Sequence, residues 1–174
     1  MTKLVLTAIG DEREGLVSAL SRTVQDHEGN WLDSRFTRLA GKFSGIVLVD
    51  VAPDREDSFS AAAARLLEEV GLSVQISSAA DASPGSGGRE LTIQLVGMDR
   101  PGMVRQITGA LAELGASIRD LHSWTADTPE GGGVLFQAEV VVTLPDSTES
   151  EAVREVLEPI ADDLMVDLEL AERE

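Results

Sequence analysis

The stretch "LVGMDRPGMV", Leu95 to Val104, combines residue types that can bind a small anion. Gly97 and Gly102 permit tight turns and let a ligand approach the backbone closely. Pro101 suits the first position of a helix, and Asp99 is expected as the N-cap or as an acid of the first turn. Free N–H groups of that turn and the helix dipole would favour a carboxylate. A capped, empty helix start explains the same residues, and the residues alone leave both interpretations open.

The rest of the chain offers little catalytic chemistry. It has no Ser-centred elbow, phosphate loop or Rossmann glycine pattern. Cysteine is absent, and the two histidines, His27 and His122, lie at non-equivalent places, so no short-spaced set of metal ligands is formed. The sequence therefore predicts a protein that is not an enzyme, with no cofactor and no metal.

The net charge of −17, from 31 acidic and 14 basic residues, restricts the partners. Direct nucleic-acid binding and membrane-surface binding are not expected, because no basic run exists to bind phosphates. No apolar run reaches the ~18 residues of a spanning helix. The first residues are too soon charged for a signal peptide, which predicts a cytoplasmic protein. A well-solvated surface is the simplest interpretation of the charge, and an acidic face for a basic partner is the alternative.

The anion-binding stretch has a second copy 87 residues earlier, "AIGDEREGLV", Ala8 to Val17. The match continues through the strand before it and the apolar positions of the helix after it, so the chain contains an internal repeat. Between the copies, "AADASPGSGG" has the small residues, proline and glycines of a flexible linker. The predicted organisation is a first domain at 1–78, a linker at 79–88 and a second domain at 89–174.

Hydrophobic periodicity predicts the order βαββαβ in each half. The predicted strands are 3–9, 30–39, 43–51 and 72–77, then 90–96, 116–126, 134–144 and 164–170. The predicted helices are 14–27 and 56–70, then 101–114 and 148–161. This order favours an α+β, ferredoxin-like fold, a four-stranded antiparallel sheet with order 4-1-3-2 and two helices on one face. Each unit has a thin core and an open edge, so we expect the copies to pair side by side into an eight-stranded sheet.

The stretch "VGMDRPGMVRQITGALAELGASIRDLHS" resembles the signature of the ACT domain, a small amino-acid-sensing module of βαββαβ fold. The stretch "GNWLDSRFTRLAGKFSGIVLV" resembles tandem ACT proteins of the glycine cleavage system transcriptional repressor type. The resemblance implies a regulator that senses glycine or a similar small amino acid and contacts a transcription factor. The bare sheet faces also predict a homo-oligomer, such as a dimer. The alternatives are a ligand-free interaction or oligomerisation module and a regulatory subunit of an amino-acid metabolic enzyme.

The resemblance also implies ligand-binding residues near a domain interface, in the loop from strand one to helix one and at the start of strand two. The loop positions are Asp99, Arg100, Pro101, Gly102, Met103 and Val104 in the second copy, and Glu12, Arg13, Gly15, Leu16 and Val17 in the first. The strand-two positions are Asn30 and Asp33, and Ala116, Ile118 and Arg119. Backbone N–H groups would hold the carboxylate, and an Asn or Asp side chain would meet the amine.

The two copies are not expected to bind equally. Glu12 and Glu14 replace Asp99 and Pro101, and such longer acids could occupy the anion site themselves, so we predict the second loop as the better site. Arg13 and Arg100 are expected to brace the loops by ion pairing. One inserted residue near Glu28 would match Asn30 with Ala116 and Arg38 with Trp124. A site could then combine the loop of one copy with the strand of the other.

Overall fold

The computed structural model describes residues 1–79, 88–128, 132–164 and 166–173. The chain divides into two compact units, Met1–Ala82 and Ser83–Glu174, the first and second domain. The predicted linker at 79–88 falls mostly on 80–87, which lie outside the described residues. The proposed boundaries at 78 and 89 stay predictions.

Each domain has the predicted element order. The first contains β1 Thr2–Asp11, α1 Leu16–Asp26, β2 Asn30–Leu39, β3 Lys42–Val51, a short 3-10 turn Pro53–Arg55, α2 Glu56–Val70 and β4 Leu72–Ser78. The second contains β5 Glu90–Met98, α3 Met103–Glu113, β6 Ser117–Asp127, β7 Val134–Thr143, α4 Ser150–Leu164 and β8 Val166–Arg173. The sheets are antiparallel, with orders β2-β3-β1-β4 and β6-β7-β5-β8. The α+β, ferredoxin-like fold is therefore confirmed, and the pairing of the sheets into eight strands stays a prediction.

Each core lies between one face of the sheet and the two helices. In the first domain, alternate residues of β1 are buried against apolar residues that recur every three or four positions along α1. These core residues are Leu4, Leu6 and Ala8, with Leu16, Leu20 and Val24. The matching set in the second domain is Leu91, Ile93 and Leu95, with Met103, Ile107 and Leu111. Burying each leucine side chain stabilises the fold by about 1.5–3 kcal/mol.

The ends of α1 and α3 show how the two copies align. The N–H of Gly29 donates to the Val24 carbonyl at 2.9 Å, and the N–H of Ala116 donates to the Leu111 carbonyl at 3.0 Å. Gly29 and Ala116 are therefore equivalent, and the 87-residue offset continues through the turn. The predicted insertion near Glu28 is wrong.

Strand two keeps the same offset. A β-bulge lies between Trp31 and Asp33 in β2, and another lies between Ile118 and Asp120 in β6. The equivalent pairs are therefore Asn30 with Ser117, Asp33 with Asp120 and Thr37 with Trp124. The predicted matches of Asn30 with Ala116 and of Arg38 with Trp124 are wrong by one residue.

Candidate functional site

Both helices that follow the repeated corner begin behind a left-handed glycine. Gly15 has φ 86° and is the N-cap of α1, and Gly102 has φ 94° and is the N-cap of α3. Glycine adopts this conformation without the steric cost that a β carbon adds. Pro101 is therefore not the first helical residue, and Asp99 is neither the N-cap nor an acid of the first turn. These two expectations are wrong because the chain turns at Gly102 before the helix starts.

The first turns of α1 and α3 present N–H groups without helical acceptors. The first helical hydrogen bonds run from Ala19 to the Gly15 carbonyl at 2.8 Å and from Gln106 to the Gly102 carbonyl at 3.0 Å. The N–H groups between these residues have no acceptor within the helix, and neither N-cap supplies a side-chain hydrogen bond. A β carbon at Gly15 or Gly102 would meet no other group within 4 Å, so both glycines face open space. This geometry can accept a carboxylate.

The acids of the first corner pair with the β2–β3 hairpin. The Glu12 carboxylate lies 2.9 Å from Nη1 of Arg38, and the Glu12 N–H donates to the Gly41 carbonyl at 2.9 Å. Asp11 pairs with Lys42, and the hydrogen bond from that ammonium lowers the pKa of the Asp11 carboxyl. Glu12 therefore pairs with β2 rather than with the start of α1, where it had been expected to occupy the anion site.

Arg13 braces the first corner through a helix end. Its Nη1 donates to the carbonyl of Val70, the last residue of α2, at 3.2 Å. The last carbonyls of a helix lack helical donors and carry partial negative charge, so a guanidinium suits this place. Arg13 thus contacts a backbone carbonyl, whereas an ion pair was expected.

Backbone contacts hold the second corner. The Asp99 N–H donates to the Val134 carbonyl, where β7 begins, at 2.8 Å. The Arg100 N–H lies 3.3 Å from Sδ of Met103, a weak acceptor. These contacts orient the residues before Gly102 while the open side of that glycine stays uncovered.

The first two residues of each helix have different roles. Leu16 and Met103 are each 2% exposed and belong to the cores, so only their backbone could meet a ligand. Val17 and Val104 are 41% and 43% exposed and place apolar surface beside the N–H groups. Leu16 and Met103 could therefore contact a ligand only through their backbone, whereas Val17 and Val104 could also contact it through their side chains.

The strand-two candidates lie far from the corner of their own domain. Asn30 pairs with Asp50, whereas the other end of β2 supplies Arg38 to the corner. At ~3.3 Å per residue, the eight steps from Asn30 to Arg38 span ~26 Å. Asp33 accepts the N–H of Ser34 at 2.7 Å. In the second domain, Ala116 is partly buried and Ile118 is 39% exposed at the matching end of β6. One domain thus does not bring loop and strand-two residues together.

Comparison with known families decides what these units are. Residues 2–77 and residues 91–160 each match the ACT domain. The chain belongs to the ACT-domain family. ACT domains are regulatory modules that sense small molecules, and the chain carries two of them in tandem.

Two solved structures share the whole tandem ACT fold. An unknown protein from Galdieria sulphuraria is 26% identical, with 99% of both chains covered and a TM-score of 0.87. A candidate glycine cleavage system transcriptional repressor is 17% identical, with 99% of this chain and 98% of that chain covered and a TM-score of 0.76. No curated protein matches the chain. The similarity to the second structure shows the fold alone.

Comparison of the two domains adds residues that sequence reasoning missed. Ser117 and Asp120 of β6 are the equivalents of Asn30 and Asp33, and the constant 87-residue offset was the signal that could have found them. Asp50, the cross-strand partner of Asn30, has a buried Oδ1 without a hydrogen-bond partner in the described part of the chain. No periodicity or motif marks Asp50 in the sequence.

Two negative findings apply to the described residues of these ACT domains. None of their His, Cys, Asp and Glu side chains form a group of three or more that could hold a metal ion. Within the same residues, no helix has the length and apolar character needed to cross a membrane.

Proposed function

We propose that this tandem ACT protein is a non-enzymatic, cytoplasmic sensor of glycine or a similar small amino acid. The ligand carboxylate binds the first-turn N–H groups of α3, behind Gly102. The observation that carries this proposal is the left-handed, uncapped start of α3, which leaves N–H groups without helical acceptors beside open space. The positive end of the helix dipole adds to the attraction for an anion.

The second corner is the better candidate because no carboxylate directly precedes its N-cap glycine. Glu14, which is exposed, directly precedes Gly15 in the first corner, whereas the neutral Pro101 precedes Gly102. A carboxylate at the start of a helix satisfies the helix dipole and repels a second carboxylate. A ligand anion therefore meets less repulsion at α3 than at α1.

The amine of the ligand requires an oxygen acceptor that the start of strand two does not supply to the corner of its own domain. Within one domain the corner and the start of strand two are ~26 Å apart at ~3.3 Å per residue, too far for one amino acid to bridge. Asn30 and Asp33, both of which are exposed, have the side-chain chemistry for such a contact. An amide or carboxylate oxygen from either residue would accept from the ammonium group.

The regulatory output is proposed to be a protein contact that affects transcription. The solved structure described as a candidate glycine cleavage system transcriptional repressor has the same tandem fold, which supports this proposal by analogy. A net charge of −17 disfavours direct contact with nucleic acid. A mobility-shift assay at low salt is expected to show no DNA binding by the chain alone, and salt-sensitive binding would contradict this part of the proposal.

The test of ligand binding is a thermal denaturation panel of the full chain with each of the twenty amino acids. A ligand at ~100 times its Kd stabilises the folded state by ~2.7 kcal/mol. Glycine, alanine or serine should raise the midpoint, whereas glycinamide, which lacks the carboxylate, should not. The absence of any shift with small amino acids at millimolar concentration would contradict the proposal.

A ligand-free interaction module is the second candidate function. Its support is β6, an edge strand with three exposed apolar side chains, Ile118 at 39%, Leu121 at 37% and Trp124 at 40%. An edge strand with apolar side chains favours pairing with another chain. A flat amino-acid panel together with a concentration-dependent oligomer in sedimentation would favour this function.

A further inference from the structure

A polar groove of about 230 Å³ lies between α1 and α2 of the first domain, and its lining includes Val70, whose carbonyl accepts from Arg13 of the first corner. Small side chains, Ala19 and Ala62, leave room between the helices at this place. The charged residues that line it come in matched pairs from the two helices, Arg22 and Asp26 from α1, and Arg65 and Glu69 from α2. This α1–α2 groove is open to solvent and has no role in the proposed amino-acid site.

The two arginines lie at the same level of the groove. The ring of His27, just after α1, packs edge-on against Phe59 near the start of α2, with ring centroids 5.7 Å apart, so the helices run antiparallel. Arg22 and Arg65 are each about one and a half turns from this contact. Two guanidinium groups therefore line one cavity from opposite sides.

Neither arginine is neutralised by its neighbours. Among the described residues, Arg22 and Arg65 make no ion pair within 4.0 Å and no hydrogen bond through their side chains. Asp26 and Glu69 follow them by four residues, a spacing at which helical ion pairs commonly form. In α4, by contrast, Arg154 has such a neighbour, Glu158, at 3.7 Å.

The fold does not require these charges. The sheet registers place Leu72 opposite Gly10 and Val166 opposite Gly97, so α2 and α4 correspond as α1 and α3 do. At the positions equivalent to Arg22 and Arg65, the second domain has Gly109 and Pro159. The paired cations are thus a property of the first domain alone, within a chain of net charge −17.

We propose that the α1–α2 groove binds inorganic phosphate or a small phosphate monoester. A planar carboxylate is satisfied by one guanidinium fork, whereas a tetrahedral phosphate dianion offers oxygens to two forks on opposite sides. Asp26 and Glu69 flank the arginines and repel an extended polyanion, which restricts the ligand to a compact one. The volume is also below the roughly 300–1,000 Å³ of sites for drug-sized ligands.

Calorimetric titration of the full chain with inorganic phosphate, methyl phosphate and acetate at constant ionic strength tests this proposal. Phosphate and methyl phosphate should bind saturably with a Kd of roughly millimolar or tighter. Arg22→Gln and Arg65→Gln should each weaken binding by about tenfold, because each removes one charge-assisted contact. Arg154→Gln removes the same charge from the other domain and should change nothing, and Asp26→Asn should tighten binding.

Three results would overturn the proposal. The first is the absence of a saturable heat with inorganic phosphate and with methyl phosphate. The second is equal phosphate affinity in the Arg22→Gln, Arg65→Gln and Arg154→Gln variants. The third is acetate binding that is as tight as phosphate binding. Arg22, Asp26 and Arg65 are exposed, so their variants should keep the wild-type melting curve. Arg154 is half-buried and ion-paired, so a melting curve of its variant checks that the control is folded. Amino-acid binding at the α3 loop is measured separately and does not decide this outcome.

Discussion

Glu28 and Gly115 hold the same place at the ends of α1 and α3, and both have a left-handed backbone. Glu28 has φ 54°, and Gly115 has φ 70°. A β carbon makes this conformation unfavourable by roughly 1–2 kcal/mol. Glu28 also lies 2.9 Å from Arg55 across an exposed ion pair, which offsets part of that cost. The first domain thus retains a strained residue where the second has glycine.

Replacing Glu28 by glycine should therefore stabilise the protein. Glu28→Gly removes the strain and loses an exposed ion pair of about 0–1 kcal/mol, so the free energy of unfolding should rise by roughly 0.5–1 kcal/mol. Urea denaturation measures the change. Arg55→Gln, which removes only the ion pair, is the control. If Glu28→Gly is less stable than Arg55→Gln, the strain has been overestimated.

The fold was predictable from sequence because its pattern is periodic and occurs twice. Alternating apolar residues such as Leu4, Leu6 and Ala8 specify a strand and its buried face before any contact is known. The helix start at Gly102 was not predictable, because Pro101 also fits the rules for a first helical residue. The left-handed backbone of Gly102 makes that residue the N-cap, and a glycine in the sequence permits this conformation without requiring it.

Contacts between distant residues were beyond the reach of sequence patterns. Arg13 donates to Val70, 57 residues along the chain, and no local spacing indicates that partner. The register of strand two was misjudged by one residue because the insertion predicted near Glu28 would match Gly29 with Gly115. In the structure Glu28, and not Gly29, has the left-handed backbone that corresponds to Gly115. A glutamate at such a position cannot be recognised from the sequence.

An aromatic ring packed on bare backbone gives a second stability prediction. The Phe36 ring covers Gly45, its cross-strand partner, and a β carbon at Gly45 would lie 2.5 Å from Cε1. Gly45→Ala should destabilise the protein by about 1–3 kcal/mol through overpacking. Denaturant melts of the single variant and of wild type measure this effect.

The second domain supplies the control for that variant. It has Ser123 opposite Ala138 at the equivalent places. The double variant with Phe36→Ser and Gly45→Ala lacks the overlap. In the Phe36→Ser background, Gly45→Ala should therefore lower the free energy of unfolding much less than it does beside Phe36. Additive effects of the two changes would show that ring and backbone are not in contact.

The Asp11–Lys42 pair predicts a pH dependence. Because Lys42 lowers the pKa of Asp11, the pair stabilises the folded state above the ordinary carboxyl pKa of ~3.9, and the contribution disappears as the pH falls through the lowered value. The stability difference between wild type and Lys42→Gln should therefore shrink as the solution is acidified below pH ~4. An NMR titration should show a higher Asp11 pKa in Lys42→Gln, and equal values in both proteins would contradict the pairing.

The two corner glycines allow the candidate ligand site to be tested with a matched pair of variants. Gly102→Ala and Gly15→Ala place a β carbon in open space at φ 94° and 86°, so both should lose a similar 1–2 kcal/mol to backbone strain. At Gly102 the added methyl also enters the space that the ligand carboxylate would approach. Gly102→Ala should therefore weaken amino-acid binding at least about tenfold, equal to ~1.4 kcal/mol, measured by calorimetry with the best amino acid of the denaturation panel.

The Gly15→Ala variant distinguishes the effect of backbone strain from the effect of blocking the ligand's approach to Gly102. It should lose the same stability as Gly102→Ala and keep nearly wild-type affinity, because the first corner carries Glu14 and is not the proposed site. Equal losses of affinity in both variants would mean that both corners bind, or that strain alone perturbs the site. Loss in Gly15→Ala with retention in Gly102→Ala would move the site to α1, and the charge argument that favours α3 would then be wrong.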